Sequence, residues 1–191
     1  MLRILMSTYN GERYLAEQLD SIIAQTFTDW CLMVRDDGST DGTARVLEEY
    51  AAKDRRISVL KDGENLGVCQ SFERLLEACG EADYYAFADQ DDVWKPEKLS
   101  LSMDAMRKAE KEFPGQPIVV HTDLQVVDQN LQPLAPSFWQ YGGICPEILD
   151  TNIHFIAICN SVTGCAMVMN RAARKAALPF APNVFMHDAW T

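Results

Sequence analysis

Asp89-Gln90-Asp91-Asp92 packs three carboxylates into four positions, directly after the apolar run Tyr84-Tyr85-Ala86-Phe87-Ala88 and just before Val93-Trp94. Like charges at that spacing repel, so something must offset the cost. Two chemistries do so. A hard divalent cation takes carboxylate oxygens, and magnesium sites commonly combine one or two carboxylates with ligand phosphates. A solvated turn or a helix N-terminus also accommodates acidic side chains, without any ion. The apolar flanks, Phe87 on one side and Val93-Trp94 on the other, draw the segment toward a core and favour the cation.

Two further acidic positions invite a chemical reading. In the stretch from Asp36 to Glu48, residues Asp37, Ser39, Asp41, Gly42 and Glu48 fall on calcium-loop positions. An apolar strand pattern precedes them where a helix is needed, Arg45 stands at a ligand position, and Glu48 lies in a helical stripe, so calcium is rejected. The segment reads as strand, turn and helix start, with Thr40 or Asp41 as N-cap. Asp37 then offers a carboxylate to a nucleobase N–H or a ribose hydroxyl, or serves in capping alone. Asp188, in Met186-His187-Asp188-Ala189-Trp190, is suited to a general base or to an N-cap, and His187 reads as exposed. His121, His154 and His187 are too scattered for a metal site. The chain has no dinucleotide-binding glycine motif, no phosphate-loop lysine motif and no nucleophile elbow.

Elements that could position these groups alternate along the first half. Apolar runs at RILMS, WCLMVRD, RISVLKD and DYYAFAD read as strands. Between them lie helical stripes: Leu15, Leu19, Ile22 and Ile23; Val46, Leu47 and Tyr50; then Val68, Phe72, Leu75, Leu76 and Cys79, closed by Gly80. Strands separated by such helices predict a mostly parallel sheet flanked by helices. Ligands in such sheets bind beyond the carboxyl ends of the strands. Ser7-Thr8-Tyr9-Asn10, Arg35-Asp36-Asp37-Gly38 and the aspartate cluster all fall there. The second half predicts a helix over 96–113, one or two strands in PIVVHTDLQVVD, a long loop over 129–150, a strand at GCAMVMN, a helix at RAARKAA and a helix start at MHDAWT.

With 191 residues, 48% hydrophobic and 24% charged, the chain suits one domain with a sizeable core. Its net charge of −11 and lack of a basic stripe argue against nucleic acid. An acidic protein that binds phosphates needs a cation between them. No stretch approaches the roughly 20 apolar residues of a membrane span, and the start, MLRILMSTYN, reads as a first strand and not a signal peptide. Cys31, Cys69, Cys79, Cys145, Cys159 and Cys165 form no CxxC pair and read as reduced, which implies a cytosolic setting.

The ordered segments STYNGERYLAEQLDSIIAQTF, VRDDGSTDGT, ENLGVCQSFERLL and ADQDDVWKPEKL resemble the family 2 glycosyltransferases. HTDLQVVD, SFW, NSVTGCAMVMN and MHDAW resemble, more narrowly, the rhamnosyltransferase-type branch that builds bacterial surface polysaccharides. The resemblance runs along essentially the whole chain. It implies an α/β GT-A fold and a single catalytic domain over 1–191, with 1–95 as the nucleotide-binding half and 96–191 as the acceptor-side half. It implies inverting transfer from a UDP- or dTDP-sugar to a saccharide or lipid-linked acceptor. The implied donor site comprises Ser7, Thr8, Tyr9, Asp37, Asn65, Gly67, Asp89 and Gln90. Asp91 is the implied ligand of Mn2+ or Mg2+, and Asp188 the implied catalytic base. Gly164 and Cys165 match an acceptor-side strand. A cytoplasmic enzyme with peripheral contact at the inner face of the membrane fits the resemblance. Members of this group usually continue past the last helix, so the chain is expected to be C-terminally truncated, and they often carry a bulkier residue at Ala189. The rival readings are a nucleotidyltransferase and a non-catalytic nucleotide-sugar-binding module.

Overall fold

The computed structural model describes residues 1–145, 161–181, 184 and 186–190. The first half folds as its apolar periodicity predicts. Strands β1 (Leu2–Thr8), β2 (Trp30–Asp36), β3 (Ile57–Leu60) and β4 (Tyr84–Ala88) alternate with helices α1 (Leu15–Ile23), α2 (Thr43–Lys53) and α3 (Val68–Ala78). Each crossover returns the chain parallel, with Leu2 beside both Trp30 and Tyr84, and Leu32 beside Ile57. Gly80, at φ 73°, takes the left-handed position just beyond the C-cap Cys79 of α3, a conformation that favours glycine.

After α4 (Lys98–Glu112), two more strands complete the sheet: β5 (Val119–His121) and, further along, β8 (Met167–Asn170). Its order is β3-β2-β1-β4-β8-β5, and β8 runs antiparallel to both neighbours. Periodicity carries no direction, so this reversal was invisible in the sequence. The GCAMVMN segment divides into a 3₁₀ turn, Gly164–Ala166, and then β8. The expected loop over 129–150 holds β7 (Pro133–Ala135), paired with β6 (Val126–Val127), and α5 (Phe138–Gly142), whose N-cap Ser137 accepts from the Gln140 amide. Residues 146–150 of that loop, with His154 and Cys159, lie outside the described residues. Helices α6 (Arg171–Ala177) and α7 (His187–Trp190) follow.

Strand alternation divides the core into two layers. Leu2, Ile4, Met6, Ala86 and Ala88 pack with α1, α2 and α4, while Leu5, Tyr85 and Phe87 pack with α3 and α6. Two apolar expectations are corrected: Val68 and Val93 are exposed, and Trp94 alone anchors the end of the aspartate segment in the core. The N-cap position of α2 is Gly42, not Thr40 or Asp41, although Asp41 still accepts from the Thr43 amide at 3.0 Å. Among the described residues the cysteines are unbridged, and no helix is long and apolar enough to cross a membrane.

Candidate functional site

Strands β1 and β4 lie side by side, but the chain reaches them by winding in opposite directions across the sheet. Their carboxyl ends therefore diverge into a crevice, where open α/β sheets bind ligands. A cleft of about 520 Å³ opens there, within the range of small-molecule sites. Ser7, Thr8, Tyr9, Asp37, Asn65, Gly67, Asp89, Gln90 and Asp91 all line it, joined by Val68 and Phe72. Three separate strand ends and the turn before α3 thus meet in one place.

One wall of the cleft is built around a buried charge pair. Asp37 accepts the Leu66 amide at 2.7 Å and the Gly67 amide at 2.8 Å, while the Asn65 side chain donates to the Asp37 carbonyl at 2.7 Å. Its counter-ion is Arg35, a fully buried guanidinium on β2 that also reaches Ser71 at 2.8 Å, Asp62 at 2.9 Å and the Glu64 carbonyl. Much of the Asp37 carboxylate's bonding capacity therefore goes into shaping the 62–67 turn. The sequence places Arg35 in the polar cluster at the end of β2 but assigns it no role; the signal available was an arginine directly after the apolar run Leu32-Met33-Val34.

The opposite wall is tied to β1 through Gln90. Its side-chain amide accepts from the Tyr9 N–H at 2.9 Å and donates to the Tyr9 carbonyl at 3.1 Å, imitating one rung of a sheet ladder. Gly11 makes this possible, because a Cβ there would lie 2.2 Å from Gln90 Oε1.

The aspartates are not equivalent. Asp91 is exposed at the cleft, whereas Asp89 and Asp92 are half-buried. Burial, then the charges of Asp92 and Asp91, push the Asp89 carboxyl up to about 7. Burial likewise raises Asp92. Ligand atoms of Asp89, Asp92 and Cys165 lie within 4.8 Å of one another. Burial first, and then both carboxylates, raise the Cys165 thiol, so it stays protonated. Behind them, Lys98 donates to the Cys165 carbonyl at 2.7 Å and lies 4.3 Å from the Trp94 ring centre. Burial lowers its ammonium to about 8 against the opposing pull of Asp92 and Asp89. Half-buried carboxylates whose protonation burial favours fit a hard divalent ion that would hold them ionised, whereas a protonated thiol does not.

Asp188 does not line this cleft. It sits beside the start of the 3₁₀ turn, where its Oδ2 accepts the Gly164 amide at 3.0 Å. His187, expected to be exposed, is buried against Phe72 and Phe87.

The family model described as "Glycosyl transferase family 2" matches residues 3–176. A Bacillus subtilis (strain 168) protein named as a glycosyltransferase of teichuronic acid biosynthesis, TuaG, is 29% identical over 169 residues, 88% of this chain and 61% of that protein. The dTDP-rhamnosyl transferase RfbG of Shigella flexneri is 38% identical over 108 residues, 53% of this chain and 36% of its own length. This chain therefore spans less than two thirds of these relatives. Among solved structures, S. aureus TarS 1–349 in complex with UDP superposes with a TM-score of 0.54 at 27% identity, over 66% of this chain and 36% of that one. The mannosyltransferase PcManGT from Pyrobaculum calidifontis, in complex with GDP-Man and Mn2+, covers 98% of this chain and 49% of its own, with a TM-score of 0.68 at 16% identity. That likeness shows a shared fold, the GT-A fold that the sequence resemblance implies.

Proposed function

The chain belongs to glycosyl transferase family 2, and we propose that the protein moves a sugar, with inversion, from a UDP- or dTDP-sugar to a saccharide or lipid-linked acceptor in surface-polysaccharide synthesis. One observation carries the reading: residues from three strand ends and the turn before α3, acidic ones among them, converge on a single nucleotide-sized cleft. The UDP-bound and rhamnosyl-transferring relatives support the donor classes. The proposed division of labour gives residues 1–95 the donor and residues 96–191 the acceptor. The proposed setting is cytoplasmic, with peripheral contact at the inner face of the membrane.

Ser7, Thr8 and Tyr9 line one side of the donor nucleotide, and Asp37 faces the base while holding Asn65 and Gly67 in the opposite wall. Asp89 and Gln90 lie on the sugar side. Asp91, exposed at the cleft, would hold Mn2+ or Mg2+ with Asp89 beside it. That ion would neutralise charge building on the departing diphosphate. Asp188, steadied through Oδ2, takes the proton from the acceptor hydroxyl as its oxygen attacks the anomeric carbon opposite the leaving group. One carboxylate suffices, because a diphosphate leaves without being protonated, unlike the alkoxide that glycoside hydrolases must protonate.

Melting with UDP, dTDP and GDP, each with and without Mn2+, tests donor binding in the parent and in Asp91→Asn. Ligand at about 100 times its Kd adds roughly 2.7 kcal/mol, or about 5–11 °C for a chain of this size. A metal-dependent shift with one nucleotide, lost in Asp91→Asn, is expected; no shift with any of them refutes the donor site. Nucleoside-diphosphate release from a panel of UDP-GlcNAc, UDP-glucose and dTDP-rhamnose then tests catalysis. Asp188→Asn should slow it by about 100-fold or more, and near-normal turnover would sink the base assignment.

A further inference from the structure

His187 precedes the candidate base by one residue and is only 3% exposed. Its ring stacks on Phe72, with centroids 4.0 Å apart and planes at 24°, and meets Phe87 edge-on at 5.0 Å. The third side of this slot is Gly164. A Cβ at Gly164 would lie 2.5 Å from His187 Nε2, far inside contact distance, and 3.3 Å from Asp188 Cβ, a tight contact. Gly164 is absent from the residues with positive φ, so its backbone does not demand glycine; the space for the imidazole does. The same residue donates its N–H to Asp188 Oδ2 at 3.0 Å.

We propose that Gly164 and His187 are positioning residues for the Asp188 carboxylate. The imidazole wedges α7 against the sheet between Phe72 and Phe87, the missing side chain of Gly164 lets it seat, and the Gly164 amide fixes one carboxylate oxygen. Phe72 also lines the donor cleft, so the wedge ties the nucleotide wall to the base. Burial pushes the imidazole well below its ordinary pKa, against the pull of Asp188. His187 therefore acts as a neutral spacer rather than as a cation competing for the carboxylate. This inference rests on Asp188 being the base.

Two measurements on the whole chain test it. In ¹⁵N-labelled protein, the Gly164 amide resonance should move in both Asp188→Asn and His187→Ala; an unmoved resonance overturns the contact. In turnover of the panel donor, Gly164→Ala should lower kcat by roughly 100-fold, the scale of misplacing a reacting group by about 1 Å, while donor KM stays within about twofold. Adding His187→Ala relieves the clash, so the double variant should be no slower than the worse single one. Where Gly164→Ala does not fold, His187→Ala carries the same kcat-against-KM test. Lost turnover in Asp188→Asn beside an unchanged kcat in the Gly164 and His187 variants overturns the positioning role alone. Full turnover in Asp188→Asn overturns the base and the positioning role together.

Discussion

Replacing Arg35 with methionine isolates what a buried cation contributes to the cleft beyond β1 and β4. The guanidinium is fully buried, and its partners differ in what they lose. Asp62 is 21% exposed at its side chain and keeps an ion pair to Arg74 at 3.2 Å. Ser71 keeps its bond from Ser7 at 2.8 Å. Asp37, 5% exposed at its side chain, keeps two amide donors but loses its counter-ion. One stranded carboxylate therefore dominates. Breaking a buried pair by removing one partner costs about 3–5 kcal/mol, and the two surviving amide bonds place this case near 3 kcal/mol. For a chain of this size that is about 6–12 °C in Tm. Urea unfolding at unchanged m-value should show the loss, and the double variant Arg35→Met/Asp37→Asn should recover more than about 1 kcal/mol of it as coupling. Nucleotide affinity should also fall by about tenfold, a 1.4 kcal/mol effect, because Asn65 and Gly67 lose the anchor that shapes their turn. A cost below about 1 kcal/mol, the surface-pair range, with unaltered nucleotide binding would refute the reasoning.

Gly11→Ala should drive Gln90 off the Tyr9 backbone and cost about 1–3 kcal/mol, the usual penalty of overpacking. Gln90→Ala should weaken nucleotide binding to a similar degree, and isothermal titration of both variants and their combination should show non-additive losses. The acid group of Asp89 gives a pH test. Its folded pKa, about 7, lies above the ordinary carboxylate value. Between the ordinary value and about pH 7 the folded state thus binds more protons than the unfolded one, so this group's contribution to stability falls as pH rises. In metal-free buffer, Asp89→Asn should gain stability relative to the parent from pH 4 to pH 7, as read by chemical denaturation; a difference independent of pH would contradict the buried, mutually repelling carboxylates.

The first half of the chain was legible because each of its signals is local. Apolar runs such as WCLMVRD set the strands, α-periodic stripes set the helices between them, and the strand-end rule then gathered Ser7, Asp37 and Asp91 with no side-chain geometry needed. What escaped depends on contacts distant in sequence. Arg35 finds Asp62 and Glu64 only after the sheet forms. His187 stands with Asp188 as a polar pair between Met186 and Ala189, and its burial depends on Phe72 and Phe87 arriving from elsewhere. Gly164 looks like a turn residue until His187 is placed against it. The described elements between β5 and β8 are two to five residues long, too short for either periodicity to register. The aspartate cluster was legible in type but not in rank: nothing in the sequence distinguishes exposed Asp91 from half-buried Asp89 and Asp92.

The pairing of β5 with β8 has a consequence for how such a protein can diversify. The chain leaves the sheet at His121 and rejoins it at Met167, and these two residues are directly paired. Whatever lies between is hung from two neighbouring points on the rim of the site, like a handle riveted at adjacent holes. Up to the 3₁₀ turn at Gly164, such a segment can be lengthened or shortened without rethreading any strand of the main sheet, whereas the cleft beyond β1, β2 and β4 is made from the ends of strands interior to that sheet and has no such freedom. Selection or a protein engineer could thus exchange the part of that stretch ahead of Gly164 as one cassette, leaving in place Gly164 and Cys165, which touch Asp188 and the aspartate segment.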